Sequence, residues 1–270
     1  MRFAVVGHVE WVEFAKVERV PEPGEIVQAS DWWAEAAGGG GVASVRLARL
    51  GGSSTLYTAL GRDALGDQAL AQLTELGVRV EATRHAEPQR RGFTFVDGDG
   101  ERTITIIGEK HVPRGDDHLA WDELAETDGV YFVSGDAAAA RAARRADVLV
   151  ATARVLPALA EAGVELDALV RSTSDPSERY APGDLDPTPR LVVSTASDEG
   201  GTWAAADGST GTYGPAPVPG PIADTYGAGD SFAAGLTYAL AAGEDPDAAI
   251  EFAARAASEA LTRRGAHGLG

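Results

Sequence analysis

Asp224, Gly227, Gly229 and Asp230 fall in the stretch "PIADTYGAGDSFAAGLTYALAAG", directly before a run with helical spacing. Glycines ahead of a helix leave backbone N–H groups free, and the helix dipole favours an anion at the same point. Gly227-Ala228-Gly229 therefore suits a phosphate, and still more a phosphoryl group in transfer, whose charge spreads over its oxygens. Asp230 at the rim would repel a phosphate at rest. It makes sense against a hydroxyl that attacks phosphorus: a carboxylate of ordinary pKa ~4 can orient the hydroxyl and take its proton late. Taken singly, Asp230 reads as a helix N-cap and the glycines as a tight turn. A cap leaves Gly227, Gly229 and Asp224 unaccounted for.

Such a loop needs a rigid frame. "FAVVG" (Phe3–Gly7) is a short apolar run ending in Gly, the pattern of a buried parallel strand. Similar runs, "STLYTALG", "GVYFVSG", "DVLVAT", "LDALVRS" and "RLVVSTA", alternate with helical patterns, among them 43–51, 63–78, 231–242 and 246–263. Pro157 is expected to limit or kink the helix around "RVLPALAEAG". Strands alternating with helices imply a mostly parallel sheet covered on both faces. Two β-rich segments, about 9–33 and 91–108, break the alternation, and the second carries the Asp-Gly turn signal "DGDG". They are expected to form a small sheet over one edge of a single domain spanning 1–270. Alternation puts Trp32 and Trp33 on opposite faces, so one belongs in the core of that small sheet.

Composition narrows the function. A net charge of -18 disfavours nucleic acid as a partner. There are no cysteines, no apolar run suits a membrane span, and the N-terminus does not read as a signal peptide, so a cytoplasmic protein is expected. Lys16 and Lys110 are the two lysines of the chain, and it has no Asn. No G-x-x-x-x-G-K-[ST] is present and no dinucleotide fingerprint follows the first strand. The five histidines lack metal-ligand spacing and read mostly as loop or surface residues. His8 is the exception, because it follows Gly7 at the edge of a parallel strand where ligands bind. Arg102 reads as a solvated hairpin charge.

"DTYGAGDSF" (Asp224–Phe232) resembles the C-terminal signature of the ribokinase-like (PfkB) carbohydrate and nucleoside kinases, D-T-x-G-A-G-D-x-F. "GGGGVASVRLARLGG", "LGRDALGDQALAQLTELGV", "DGDGERTI" and "ALTRRGAHG" resemble further family segments in order. The resemblance implies a three-layer α/β/α sandwich with a small β lid. It implies Asp230 as catalytic base and Gly227, Ala228 and Gly229 as the anion hole. Asp224 and Thr225 correspond to the start of the nucleotide and cation loop, and Thr195, Ser197 and Gly200 to a T-x-G-x-x-G nucleotide segment with Ser197 in place of Gly. Gly38, Gly39 and Gly40 correspond to the region where the sugar approaches the backbone. Ser172 and Asp175 stand where N-x-x-E organises magnesium through water, with Glu178 as an alternative. ATP, Mg²⁺ and a potassium-like cation are the implied cofactors.

Two positions depart from the family pattern. Its Asp after the first strand and its Asn after the diglycine are here Val12 and Val42, so His8, Glu10 or Glu13 is expected to supply the lost substrate contact. The reading is an ATP-dependent kinase acting on a hydroxyl of a sugar or sugar phosphate, with a homodimer through the lid as the expected assembly. The alternatives are a nucleoside kinase, or a non-catalytic sugar or nucleotide sensor that retains the fold.

Overall fold

The computed structural model describes residues 1–269. Nine strands form one sheet. From one edge it runs β13 (Thr210–Tyr213), β12 (Gly201–Ala205), β11 (Leu191–Thr195), β10 (Ala168–Ser172), β9 (Val148–Thr152), β8 (Gly129–Phe132), β1 (Phe3–Val6), β4 (Ser54–Gly61) and β5 (Val78–His85). The strands from β11 to β5 are parallel, and β12 and β13 add an antiparallel hairpin. Alternation along β1 sends Phe3 and Val5 into one apolar cluster and Ala4 and Val6 into a second on the other face. The first cluster packs against α1 (Gly38–Gly51), α5 (Ala228–Ala241) and α6 (Pro246–Leu261). The second includes α3 (Ala137–Ala143) and α4 (Leu156–Ala162). The result is an α/β sandwich around a mostly parallel sheet.

A second sheet has the order β3 (Asp31–Ala37), β2 (Glu10–Lys16), β6 (Arg91–Val96) and β7 (Arg102–Ile107). The strand expected from "EIVQAS" is loop; pairing begins only at Asp31. Trp33 stacks on Phe14 with ring centroids 4.9 Å apart, while Trp32 is exposed. Among the described residues, no helix is long and apolar enough to cross a membrane.

Four local expectations are corrected. Pro157 lies in the first turn of α4 and so starts that helix rather than kinking it. His111 and His267 lie in loops but not at the surface: both are buried, and each ring bonds a backbone carbonyl, Pro88 at 2.9 Å and Ala36 at 2.6 Å. Both glycine-led helices begin earlier than the apolar spacing suggests, at Gly38 rather than Ala43 and at Ala228 rather than Ser231. Glycine is a poor helix former, so a pattern reading leaves it outside. Here close backbone approach requires it: a Cβ on Gly40 would lie 2.7 Å from the His8 carbonyl oxygen.

Candidate active site

The C-terminal end of β1 leads directly into β2 of the second sheet, and in parallel α/β folds ligands bind at that end of the strands. Gly227 is the N-cap of α5, in the left-handed region at φ 75°. A Cβ there would also lie 2.8 Å from Val42 Cγ1, so both backbone angle and space demand glycine. No side chain caps the helix. The first-turn N–H groups at Ala228, Gly229 and Asp230 therefore lack intrahelical partners. A Cβ on Gly229 would meet nothing within 4 Å, so the helix start is open on that side. Asp230 is not the cap. It sits inside the first turn, part-buried.

Asp230 faces the start of α1. A Cβ on Gly39 would lie 3.0 Å from Asp230 Oδ1 and 3.5 Å from His8 Cε1, so α1, α5 and the β1 end meet at one point. Burial pushes the Asp230 pKa up to about 6; Arg154 pulls it down, Glu178 raises it, Arg102 lowers it and Glu10 raises it. A carboxylate near 6 is a better base than an ordinary Asp and remains mostly ionised at neutral pH.

Asp224 is buried and accepts N–H from Tyr226 (2.8 Å) and Gly265 (3.1 Å), which shapes the loop ahead of the glycines. The Tyr226 hydroxyl accepts the Gly38 N–H at 3.3 Å, joining the two glycine segments. Thr225 accepts two bonds from Arg102 Nη1, through its carbonyl (2.7 Å) and its hydroxyl (2.8 Å). Arg102 is exposed but ties β7 to the loop ahead of α5, so the solvated reading is corrected.

His8 and Glu10 reach the site together, with His8 Nε2 3.8 Å from Glu10 Oε1. Burial lowers the His8 pKa well below its usual value, helped by Lys110, Arg90 and Arg154, so the ring is neutral. Burial raises the Glu10 pKa, against the pull of Arg90 and Lys110. Glu13 is not brought in. Alternation along β2 puts it on the face opposite Glu10, where it pairs with Arg91 at 2.5 Å. Val12 and Val42 are buried together with Phe14, Ala37, Val96 and Tyr226. They form an apolar joint between the second sheet, the start of α1 and the loop ahead of α5.

On the β10 and β11 side, Ser172 N–H and Arg154 Nε each donate to Glu178 at 2.5 Å, and Arg154 Nη2 reaches Asp175 at 2.6 Å. Thr195 ends β11 and its carbonyl accepts Thr173 N–H at 2.9 Å. Ser197 holds φ 52°, a left-handed conformation costly for a side chain, and Gly200 holds φ 84°.

The model of the pfkB family of carbohydrate kinases matches residues 2–182 and 164–268. This chain belongs to that family. It is a phosphotransferase with an alcohol group as acceptor. It is 31% identical to an ATP-dependent ribose-1-phosphate kinase of Halopiger xanaduensis, over 98% of this chain and 94% of that one. Among solved structures, a putative ribokinase from Agrobacterium tumefaciens superposes with TM-score 0.80 at 22% identity, covering 99% of this chain and 93% of that one. Arabidopsis thaliana ribokinase complexed with ribose and ATP gives 0.73 at 21%, covering 97% and 93%.

The pfkB chain's carboxylates do not fit a metal held directly by protein. Asp175 and Glu178 are both spent on Arg154, and the described residues contain no group of three or more His, Cys, Asp or Glu suited to a metal. Around Asp224, two backbone N–H groups donate to the carboxylate and satisfy its charge. Buried Glu35 repeats it, accepting from Trp33 Nε1, Ala266 N and His267 N. Arg90, Arg102, Lys110 and Arg154 were not among the expected site residues. Arg90, Lys110 and Arg154 belong to no motif, Arg102 lies in the "DGDGERTI" segment, and only the rarity of lysine set Lys110 apart.

Proposed function

We propose that this pfkB-family enzyme transfers the γ-phosphoryl group of ATP to a hydroxyl of a sugar or sugar phosphate. The acceptor hydroxyl lies against Asp230, which takes its proton as the oxygen attacks phosphorus and ADP leaves. The free amides at Gly227–Gly229 and the start of α5 carry the charge that builds on the equatorial oxygens. Thr195, Ser197, Gly200, Asp224 and Thr225 line the nucleotide side; His8, Glu10 and Gly38–Gly40 line the acceptor side. Magnesium enters with the nucleotide's own phosphates. The observation that carries this reading is Asp230: an uncapping carboxylate, raised to about 6, in the first turn of a helix whose amides are free. A sensor has no use for that combination.

The nucleoside alternative calls for a flat apolar surface around His8, Trp11 and Val42. Val42 is instead buried in the joint, Trp11 points to the other face of β2, and cations surround His8. The test is ADP release from ATP with a panel of sugars, sugar phosphates and nucleosides. Turnover confined to sugars or their phosphates supports the reading; turnover of nucleosides alone, or binding without turnover, overturns it.

A further inference from the structure

Val12, Phe14, Val42 and Tyr226 are among the side chains that fill the joint between the second sheet and the two glycine-led helices, with Trp33 against them. Two of the side chains in that cluster carry a polar group. The Trp33 indole N–H is spent on Glu35 at 2.9 Å. The Tyr226 hydroxyl is only half spent. It accepts the Gly38 N–H at 3.3 Å, and among the described residues no protein oxygen stands in hydrogen-bond geometry to take its own proton. Tyr226 is 9% exposed, and a buried O–H without an acceptor is costly. The arrangement calls for an oxygen from outside the chain.

Local structure fixes where that hydroxyl stands. Tyr226 directly precedes Gly227, the N-cap of α5, and its own N–H donates to Asp224 at 2.8 Å. Its ring meets Phe14 edge-on, with centroids 5.2 Å apart, so it cannot swing away without opening the joint. At the other helix, Ala37 gives α1 no side-chain cap. The protein satisfies two of the first three amides of α1: Gly38 through Tyr226, and Gly40 through the His8 carbonyl at 3.0 Å. The Gly39 N–H is left, at the residue that faces Asp230 and His8. The hydroxyl therefore stands one residue from the point where α1, α5 and the β1 end meet. Burial raises the Tyr226 pKa above its usual value, and the charges of Glu10 and Asp230 add to that, so the phenol keeps its proton.

We propose that Tyr226 is a specificity-determining residue of the acceptor side, donating its phenolic O–H to an acceptor oxygen other than the one that attacks phosphorus. This rests on the kinase reading above and adds a residue to it. The hydroxyl closes the Gly38 amide to the acceptor and passes its donor character on, one hydrogen bond further into the cleft. Accepting that N–H polarises the phenol and makes it a better donor. Val12 and Val42 offer no polar atom beside it, so the contact they cannot make falls to Tyr226. An acceptor without an oxygen at that point leaves the buried O–H unpaired, which is what makes such a contact selective.

The test is Tyr226→Phe, which removes the hydroxyl and keeps the ring in the joint. ADP release is followed with D-ribose, ribose 1-phosphate and adenosine, one probe for each acceptor class. For the probe that the wild type uses best, Tyr226→Phe is expected to raise KM about 3- to 10-fold, the loss of one neutral hydrogen bond. KM for ATP is expected to stay within about twofold, because the hydroxyl serves the acceptor alone. A lower melting temperature with an unchanged acceptor KM would overturn the proposal, by leaving the hydroxyl only the Gly38 N–H to hold. An equal rise in KM for ATP would overturn it too, while the kinase reading stands. If the wild type phosphorylates none of the three, the kinase reading fails. Calorimetric titration with the same probes then decides the contact: weaker binding of one of them to Tyr226→Phe upholds it. Equal binding to both proteins, or none to either, refutes it.

Discussion

Replacing Arg154 with Met should move the pH dependence of catalysis. Arg154 is the strongest charge acting to lower the Asp230 pKa, and it also neutralises Glu178, whose own charge raises it. With Asp230 near 6, about ten-elevenths of the base is ionised at pH 7 and half at pH 6. An arginine beside a carboxylate lowers its pKa by ~1–3 units. The Arg154 side chain is half-exposed, so solvent screening puts the effect at the low end, about one unit. The midpoint then moves to about 7. Turnover at pH 7 falls just under twofold, and at pH 6 about fivefold, with recovery toward pH 9. Glu178, left buried without its partner, pushes in the same direction. Adding Glu178→Gln removes that second push and should bring the midpoint part of the way back. The assay is kcat/KM from pH 5 to 9 by coupled ADP release for the three proteins. A midpoint that stays at 6, or moves to lower pH, would refute both the placement of Arg154 and the role of Asp230.

Two further predictions concern stability. Burial raises Glu35 from 4.5 to about 7, so its contribution is fully present below pH ~4.5 and is lost as pH rises through 7. The melting margin of the wild type over Glu35→Gln should therefore narrow between these values, by no more than about 3 kcal/mol; a margin that widens contradicts this. Ser197→Gly removes a left-handed strain of about 1–2 kcal/mol and adds an unfolded-state entropy cost of about 0.5–1, so denaturant unfolding should show a gain of up to ~1 kcal/mol. A loss would mean that the Ser197 side chain earns its place through a contact in solution.

The glycine-led start of α5 was legible because Asp224 to Asp230 lie in one window and local backbone geometry governs it. The strand and helix alternation was legible because apolar runs differ in period. What escaped the sequence depends on distance along the chain. Arg90, Lys110 and Arg154 come from three separated segments, and only sheet order brings them near His8 and Asp230. Glu13 was misplaced by one residue, and with a period of two that reverses the face. Val12 and Val42 stood out in the sequence as departures from the family pattern. That both enter one apolar cluster follows only from the way β2 meets the start of α1.

Catalysis as proposed requires Asp230 as proton acceptor, and single-turnover phosphoryl transfer by Asp230→Asn measures that directly. The substitution keeps the shape of the side chain and removes its charge. Turnover should fall by about 10²–10⁴-fold. ATP affinity should stay near wild type or tighten, since a negative charge beside the phosphates is gone. Melting temperature above pH 6 should hold or rise, because the side chain caps nothing and its charged form is disfavoured by burial. Turnover within a few-fold of wild type would contradict the mechanism.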